Sequence, residues 1–153
     1  MKNELQHKPI NILLADDDVD DRFLFAKALK ELSIETNLVT VHDGEQLMDY
    51  LNENLNKLPD IVFLDLSMPR KTGFECLTEI KESEKLKNLT VIVFTTSFGR
   101  GIDFEQGLIG TLEKIGAEEY IRKPSSFEEL KQIINRVLSS AAEKRITGIR
   151  ETE

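Results

Sequence analysis

Short apolar runs alternate with amphipathic stretches along the whole chain, and that alternation leaves few folds open. Residues 10–15 (Ile-Asn-Ile-Leu-Leu-Ala) and 61–64 (Ile-Val-Phe-Leu) are nearly or wholly apolar, as expected of parallel strands covered on both faces. Residues 37–41, 91–94 and 119–121 supply three further strands. Helical spacing fills the intervals. Phe23, Ala26, Leu29 and Leu32 share a stripe over 22–32, and Leu47, Met48, Tyr50 and Leu51 are candidate core positions in 45–54. A third helix covers 74–81, and a fourth ends near Gly116, where glycine is a natural C-terminal cap. The last opens at Ser126, three residues before Glu129 as a capping box requires, and runs to about Ala142. The glycine-containing residues 98–110 read as a connection into the fourth helix. Five βα units of this size make one doubly wound α/β domain with a parallel five-stranded sheet. The expected boundaries are a tail over 1–9, the domain over 10–142, and a mobile tail over 143–153 that lacks apolar periodicity.

Composition narrows the function classes. The 153 residues are 40% hydrophobic and 31% charged, which suits one globular domain. The formal net charge of −8 argues against a dedicated nucleic-acid binder, which gains affinity by neutralising phosphates with Lys and Arg. No apolar run approaches a bilayer span, and the polar N-terminus is unlike a secretory signal. The single cysteine, Cys76, cannot close an internal disulfide. A cytoplasmic location is expected.

In open α/β sheets, ligands bind beyond the carboxyl ends of the strands. The residues standing there are Asp16, Asp17 and Asp18 after the first strand, Asp65 after the third, Thr95, Thr96 and Ser97 after the fourth, and Lys123 after the fifth. Several carboxylates at close range repel one another, and a divalent cation relieves that repulsion. Hard oxygen ligands point to Mg²⁺; with no His or Cys among these strand-end residues, zinc is disfavoured. An aspartate beside Mg²⁺ can act as a nucleophile towards phosphorus, forming an acyl phosphate. Lys123 and the Thr95 hydroxyl would then hold phosphoryl oxygens.

Each element has a plainer reading by itself. Residues 16–21 could be a solvated helix N-terminus, Asp65 a strand-end cap, and Thr95 and Thr96 ordinary strand formers. Four such features in order, each at a strand end, make the joint pattern informative. An EF-hand loop fails, because its sixth position is Asp21 and its twelfth Lys27. No P-loop, GxGxxG or nucleophile elbow occurs, His7 and His42 are isolated, and Cys76 reads as a packing residue.

The segments Leu-Leu-Ala-Asp-Asp-Asp (13–18), Ile-Val-Phe-Leu-Asp-Leu-Ser-Met-Pro (61–69), Thr-Thr-Ser (95–97) and Tyr-Ile-Arg-Lys-Pro (120–124) together resemble the receiver domain of two-component response regulators. The resemblance spans 10–142 and implies a flavodoxin-like (βα)5 fold with strand order 2-1-3-4-5. It implies that Asp65 is the phosphoacceptor and that Asp17 and Asp65 ligate Mg²⁺ directly. Asp16 would act mainly through water, and the Ser67 carbonyl would be a main-chain ligand. Thr95 resembles the switch hydroxyl, Tyr120 the aromatic that turns inward on activation, and Lys123 the phosphate-binding lysine, whose bond to Pro124 is usually cis in the family. The chain resembles single-domain members, and its acidic run is similar to those partnering phytochrome-type and other sensor kinases. The 28 positions from Thr95 to Lys123 exceed the usual spacing, with the extra length assigned to 98–110, beside the family's output surface.

The implied partners are a sensor histidine kinase or histidine phosphotransfer protein and a downstream protein, with no nucleic acid or membrane and with homodimerisation open. Self-catalysed phosphotransfer and autodephosphorylation would be the only chemistry. A Mg²⁺-dependent aspartyl-phosphate phosphohydrolase is the alternative. It usually carries a second aspartate two residues after the nucleophile, where this chain has Ser67. A third reading, an adaptor that is never phosphorylated, fits poorly with a full acidic and basic set.

Overall fold

The computed structural model describes residues 8–96 and 100–152, side chains beyond 145 excepted. Strands β1 (Ile10–Ala15), β2 (Thr36–Val41), β3 (Ile61–Leu64), β4 (Thr90–Thr95) and β5 (Glu119–Arg122) alternate with helices α1 (Val19–Lys30), α2 (Gly44–Glu53), α3 (Gly73–Glu82), α4 (Ile102–Ile115) and α5 (Phe127–Thr152). All pairings are parallel and the order is β2-β1-β3-β4-β5, the flavodoxin-like arrangement.

Strand alternation sorts the apolar residues into two cores. Leu13, Ala15, Val62, Leu64, Val91 and Val93 face one layer with α2, α3 and α4. Ile10, Ile12, Leu14, Ile61, Phe63, Ile92 and Phe94 face the other with α1 and α5. Because β1, β3 and β4 are buried on both sides, their sequences are continuous apolar runs rather than alternations. Edge-to-face rings tie the second layer together: Phe25 and Phe63 have centroids 4.9 Å apart, and Phe94 lies 6.0 Å from Phe25. Each such pair adds about 1 kcal/mol beyond the area it buries.

Three sequence readings change. Phe23, placed on the inner stripe of α1, is 67% exposed, whereas Phe25, Ala28 and Leu29 form the buried face. Both sets have helical spacing, and periodicity alone does not choose between neighbouring aromatic residues. Most of 98–110 is helix rather than connection, because α4 begins at Ile102 and contains Gly107 and Gly110. Each mid-helix glycine costs about 1 kcal/mol relative to alanine. The buried Leu112, with Leu108 and Ile115 packed against the core, offsets this. Phe98 and Gly99 lie outside the described residues. Helix α5 continues past Ala142 to Thr152. Just past Ala142, Lys144 reaches Glu118 at 3.6 Å, and Arg145 reaches Asp60 at 3.1 Å and the Lys8 carbonyl at 2.9 Å. Of the N-terminal tail, residues 1–7, including His7, lie outside the described residues.

Candidate phosphoacceptor site

The parallel ladder continues one residue beyond three strands, and this sets the site. The Asp16 amide donates to the Val41 carbonyl at 3.1 Å and the Asp65 amide to the Ala15 carbonyl at 3.0 Å. The Lys123 amide donates to the Thr95 carbonyl at 2.8 Å. Asp16, Asp65 and Lys123 therefore sit on ordered backbone at the same edge of the sheet, although 107 positions separate the first from the last (123 − 16).

Carboxylate oxygens of Asp16, Asp17 and Asp65 gather within 4.8 Å of one another. Asp16 is 1% and Asp65 5% exposed, while Asp17 is open to solvent. Asp65 Oδ1 accepts hydrogen bonds from the buried Thr95 hydroxyl at 2.8 Å and from the Ser67 amide at 3.3 Å. Its Oδ2 lies 3.5 Å from Lys123 Nζ. The same ammonium stands 2.7 Å from Asp16 Oδ2 and 2.9 Å from Asp21 Oδ2. Asp16 Oδ1 accepts from the Asp18 amide at 2.9 Å, and Arg22 Nη1 donates to the Asp16 carbonyl at 2.8 Å.

Burial alone would lower the Lys123 pKa, but hydrogen bonds to Asp16 and Asp21 and the charge of Asp65 outweigh it and hold the group well above the ordinary lysine range. Asp16 moves upward as well. Burial is the largest cause and exceeds the opposing hydrogen bond from Lys123, with the Asp65 charge adding to the rise. The two directions agree physically: one ammonium has several anions to satisfy it, whereas each buried carboxylate has only a share of one cation.

Gly73 lets the loop after β3 close. A Cβ there would stand 2.3 Å from the Asp65 carbonyl oxygen. Thr72 starts α3 with a full capping box to Glu75. Arg70 takes a positive φ of 70° within this loop.

The strand-end residues divide between both readings of the sequence. Asp16, Asp17, Asp65, Thr95 and Lys123 converge. Asp18 is instead the N-cap of α1, accepting from the amides of Asp20 and Asp21. Thr96 points to solvent, and Ser97 lies outside the described residues. The Lys123–Pro124 bond is trans, not the cis form that the resemblance implied. Tyr120 packs against the core layer beneath α2–α4, and its hydroxyl oxygen is buried. Sequence reasoning passed over Asp21, although it lies in the first turn of a helix that opens toward the strand ends. His42 is exposed and not part of the acidic cluster, and Cys76 is fully buried, its thiol pushed up to about 12 by burial.

The chemistry of the donors fits a divalent cation. Three carboxylates supply hard oxygens, and no His or Cys joins them among the described residues. No described helix is long and apolar enough to cross a membrane.

Known proteins share this fold. The family model for the response regulator receiver domain matches residues 12–135. The probable methanogenesis regulatory protein FilR2 of Methanothrix harundinacea is 32% identical over 84% of this chain and 81% of its own. Response regulator Rcp1 of Synechocystis is 30% identical over 86% of this chain and 88% of its own. The crystal structure of its Mn²⁺-bound form aligns with a TM-score of 0.72 at 30% identity, covering 86% of this chain and 93% of that one. The phosphorylated cyanobacterial phytochrome response regulator RcpA aligns with a TM-score of 0.73 at 32% identity, covering 85% and 91%. Other relatives are longer, and the matched region is 14% to 48% of their length. The sheet order, the acidic cluster and the family match lead to one conclusion: this chain belongs to the response regulator receiver domain family of two-component signalling.

Proposed function

We propose that Asp65 accepts the phosphoryl group, taking it from a phosphohistidine on a sensor histidine kinase or a histidine phosphotransfer protein. One observation carries this reading: Asp65 stands among Asp16, Asp17, Thr95 and Lys123 with its carboxylate at the open edge of the sheet. An Asp65 oxygen forms the new O–P bond as the P–N bond to histidine breaks, and the imidazole leaves as a stable neutral group after protonation. Asp16, Asp17, Asp65 and the Ser67 carbonyl would hold Mg²⁺, which when bound neutralises charge on the transferring phosphoryl oxygens. Lys123 pairs with one phosphoryl oxygen. Thr95, already donating to Asp65, turns its hydroxyl to another.

Thr95 and Tyr120 form the switch in this reading. Movement of the Thr95 hydroxyl toward the phosphoryl group reshapes the neighbouring space on the α4 side of the sheet, where Tyr120 packs. The altered surface then binds a downstream protein, or a second copy of the chain. The working unit is 10–142 and acts in the cytoplasm, with no nucleic-acid or membrane partner of its own. The Ser67 hydroxyl stands where a phosphohydrolase of the aspartyl-phosphate type would place its acid, so turnover of external phosphoesters is not expected.

The test is incubation with acetyl phosphate and Mg²⁺. One acid-stable, base-labile phosphoryl group per chain is expected, lost in Asp65→Asn. Sustained hydrolysis of many phosphoesters, or unchanged labelling in the Asn variant, would overturn the proposal.

A further inference from the structure

Lys123 has an unexpected third partner. Its side chain is 10% exposed, yet one of the carboxylates that surround it, Asp21, is 35% exposed and comes from helix α1 rather than from a strand end. Asp21 Oδ2 accepts from the ammonium at 2.9 Å, across 102 positions of sequence. The first turn of α1 holds this carboxylate in place, because the Asp21 amide donates to the capping Asp18 at 3.0 Å. Asp21 is not among the three acids whose oxygens gather within 4.8 Å.

An ammonium has three N–H donors and no acceptor. In this structure they face Asp16, Asp21 and Asp65. The reading of the site as a phosphoacceptor, on which this inference rests, takes two of those partners away: Asp16 and Asp65 are both assigned to the cation, and Asp65 also becomes the acyl phosphate. Lys123 must leave Asp16 without leaving the site. Asp21 is the carboxylate that stays available throughout.

We propose that Asp21 is a positioning residue for Lys123, holding one N–H of the ammonium while the rest of the group turns from Asp16 and Asp65 to a phosphoryl oxygen. Without Asp21 the ammonium settles on Asp16 and Asp65, where it competes directly with a divalent cation and points away from an incoming phosphoryl group. A charge-assisted hydrogen bond is the stronger kind and is directional, so a neutral amide at this position holds the ammonium less firmly.

The charge-matched control is adjacent. Asp20 is exposed, carries the same charge in the same helical turn, donates its amide to Asp18, and forms no ion pair with Lys123. In calorimetric titration, Asp21→Asn is expected to raise the Mg²⁺ Kd about tenfold, and Asp20→Asn by about twofold or less through the general field. At saturating Mg²⁺, loading of Asp65 from acetyl phosphate slows about tenfold in Asp21→Asn and recovers in part in Asp21→Glu, which restores the carboxylate. Unfolding midpoints of all three variants report any structural loss separately. An Asp21→Asn protein that matches Asp20→Asn in either measurement overturns the role of Asp21 alone. Wild-type protein that is not labelled at Asp65 overturns the acceptor reading, and this inference with it.

Discussion

The two ends of the sheet handle charge in opposite ways. At the amino ends of β3 and β5, each base has its own acid: Arg145 with Asp60, Arg136 with Glu119, Lys144 with Glu118. At the carboxyl ends, Asp16, Asp21 and Asp65 all lie within 3.5 Å of one ammonium, and Asp17 crowds the same place. The first arrangement is what stability favours. The second keeps surplus negative charge half-buried, which costs free energy unless a cation arrives. Matched pairs fasten a structure, whereas an imbalance at a strand end prepares it to bind.

The largest expected effect breaks the crowded end. Lys123→Ala should slow phosphoryl loading of Asp65 by about a hundredfold at saturating Mg²⁺, the scale of losing one preorganised charge at a reacting group. Followed by mass spectrometry after acetyl phosphate, a loss smaller than twofold would remove Lys123 from the chemistry. Next comes the backbone beneath the site. Gly73→Ala places a methyl 2.3 Å from the Asp65 carbonyl oxygen and should cost about 3 kcal/mol in urea unfolding. The methyl meets backbone rather than a movable side chain, so little relaxation is available.

Neutralising an acid at the crowded end should have the opposite sign. Burial and the Asp65 charge raise the Asp16 pKa from its ordinary value of 3.8, so its ionised form is a burden on the fold at neutral pH. Asp16→Asn is therefore expected to stabilise the metal-free protein by about 1 kcal/mol, measured by urea unfolding in chelator. As pH falls through the raised folded pKa toward 3.8, the wild-type carboxyl takes up a proton and the gap closes. A gap that widens on acidification would refute the assignment. The smallest effect belongs to the matched end. Arg145→Ala should destabilise by about 0.5–1 kcal/mol and leave loading unchanged, since its partners are partly exposed and far from Asp65.

Much of this molecule was legible before any coordinates. Strands β1, β3 and β4 announced themselves as apolar runs because strands covered on both faces have no polar side to show, and the runs at 10–15 and 61–64 each ended beside an aspartate of the acidic cluster. Helix interiors were harder. Phe23 and Phe25 offer equivalent periodicities, and only packing against Phe63 and Phe94 selects the second. Gly107 and Gly110 read as breakers, yet Leu112 anchors a helix through both. The ion pairs of Lys144 and Arg145 on α5 had no sequence signal, because pairing to distant residues carries no local period.

The residues of the candidate site were written in the chain as types at strand ends: acids after β1 and β3, a hydroxyl at the end of β4, a lysine after β5. Their distances were not. Chain pairing one residue beyond each strand brings Asp16, Asp65 and Lys123 together, and pairing between segments far apart in sequence has no local signature. The same holds for Asp21, which a helix cap turns toward a lysine 102 positions away. Local order follows from near neighbours along the chain, but a cluster of charges depends on which segments the core places side by side.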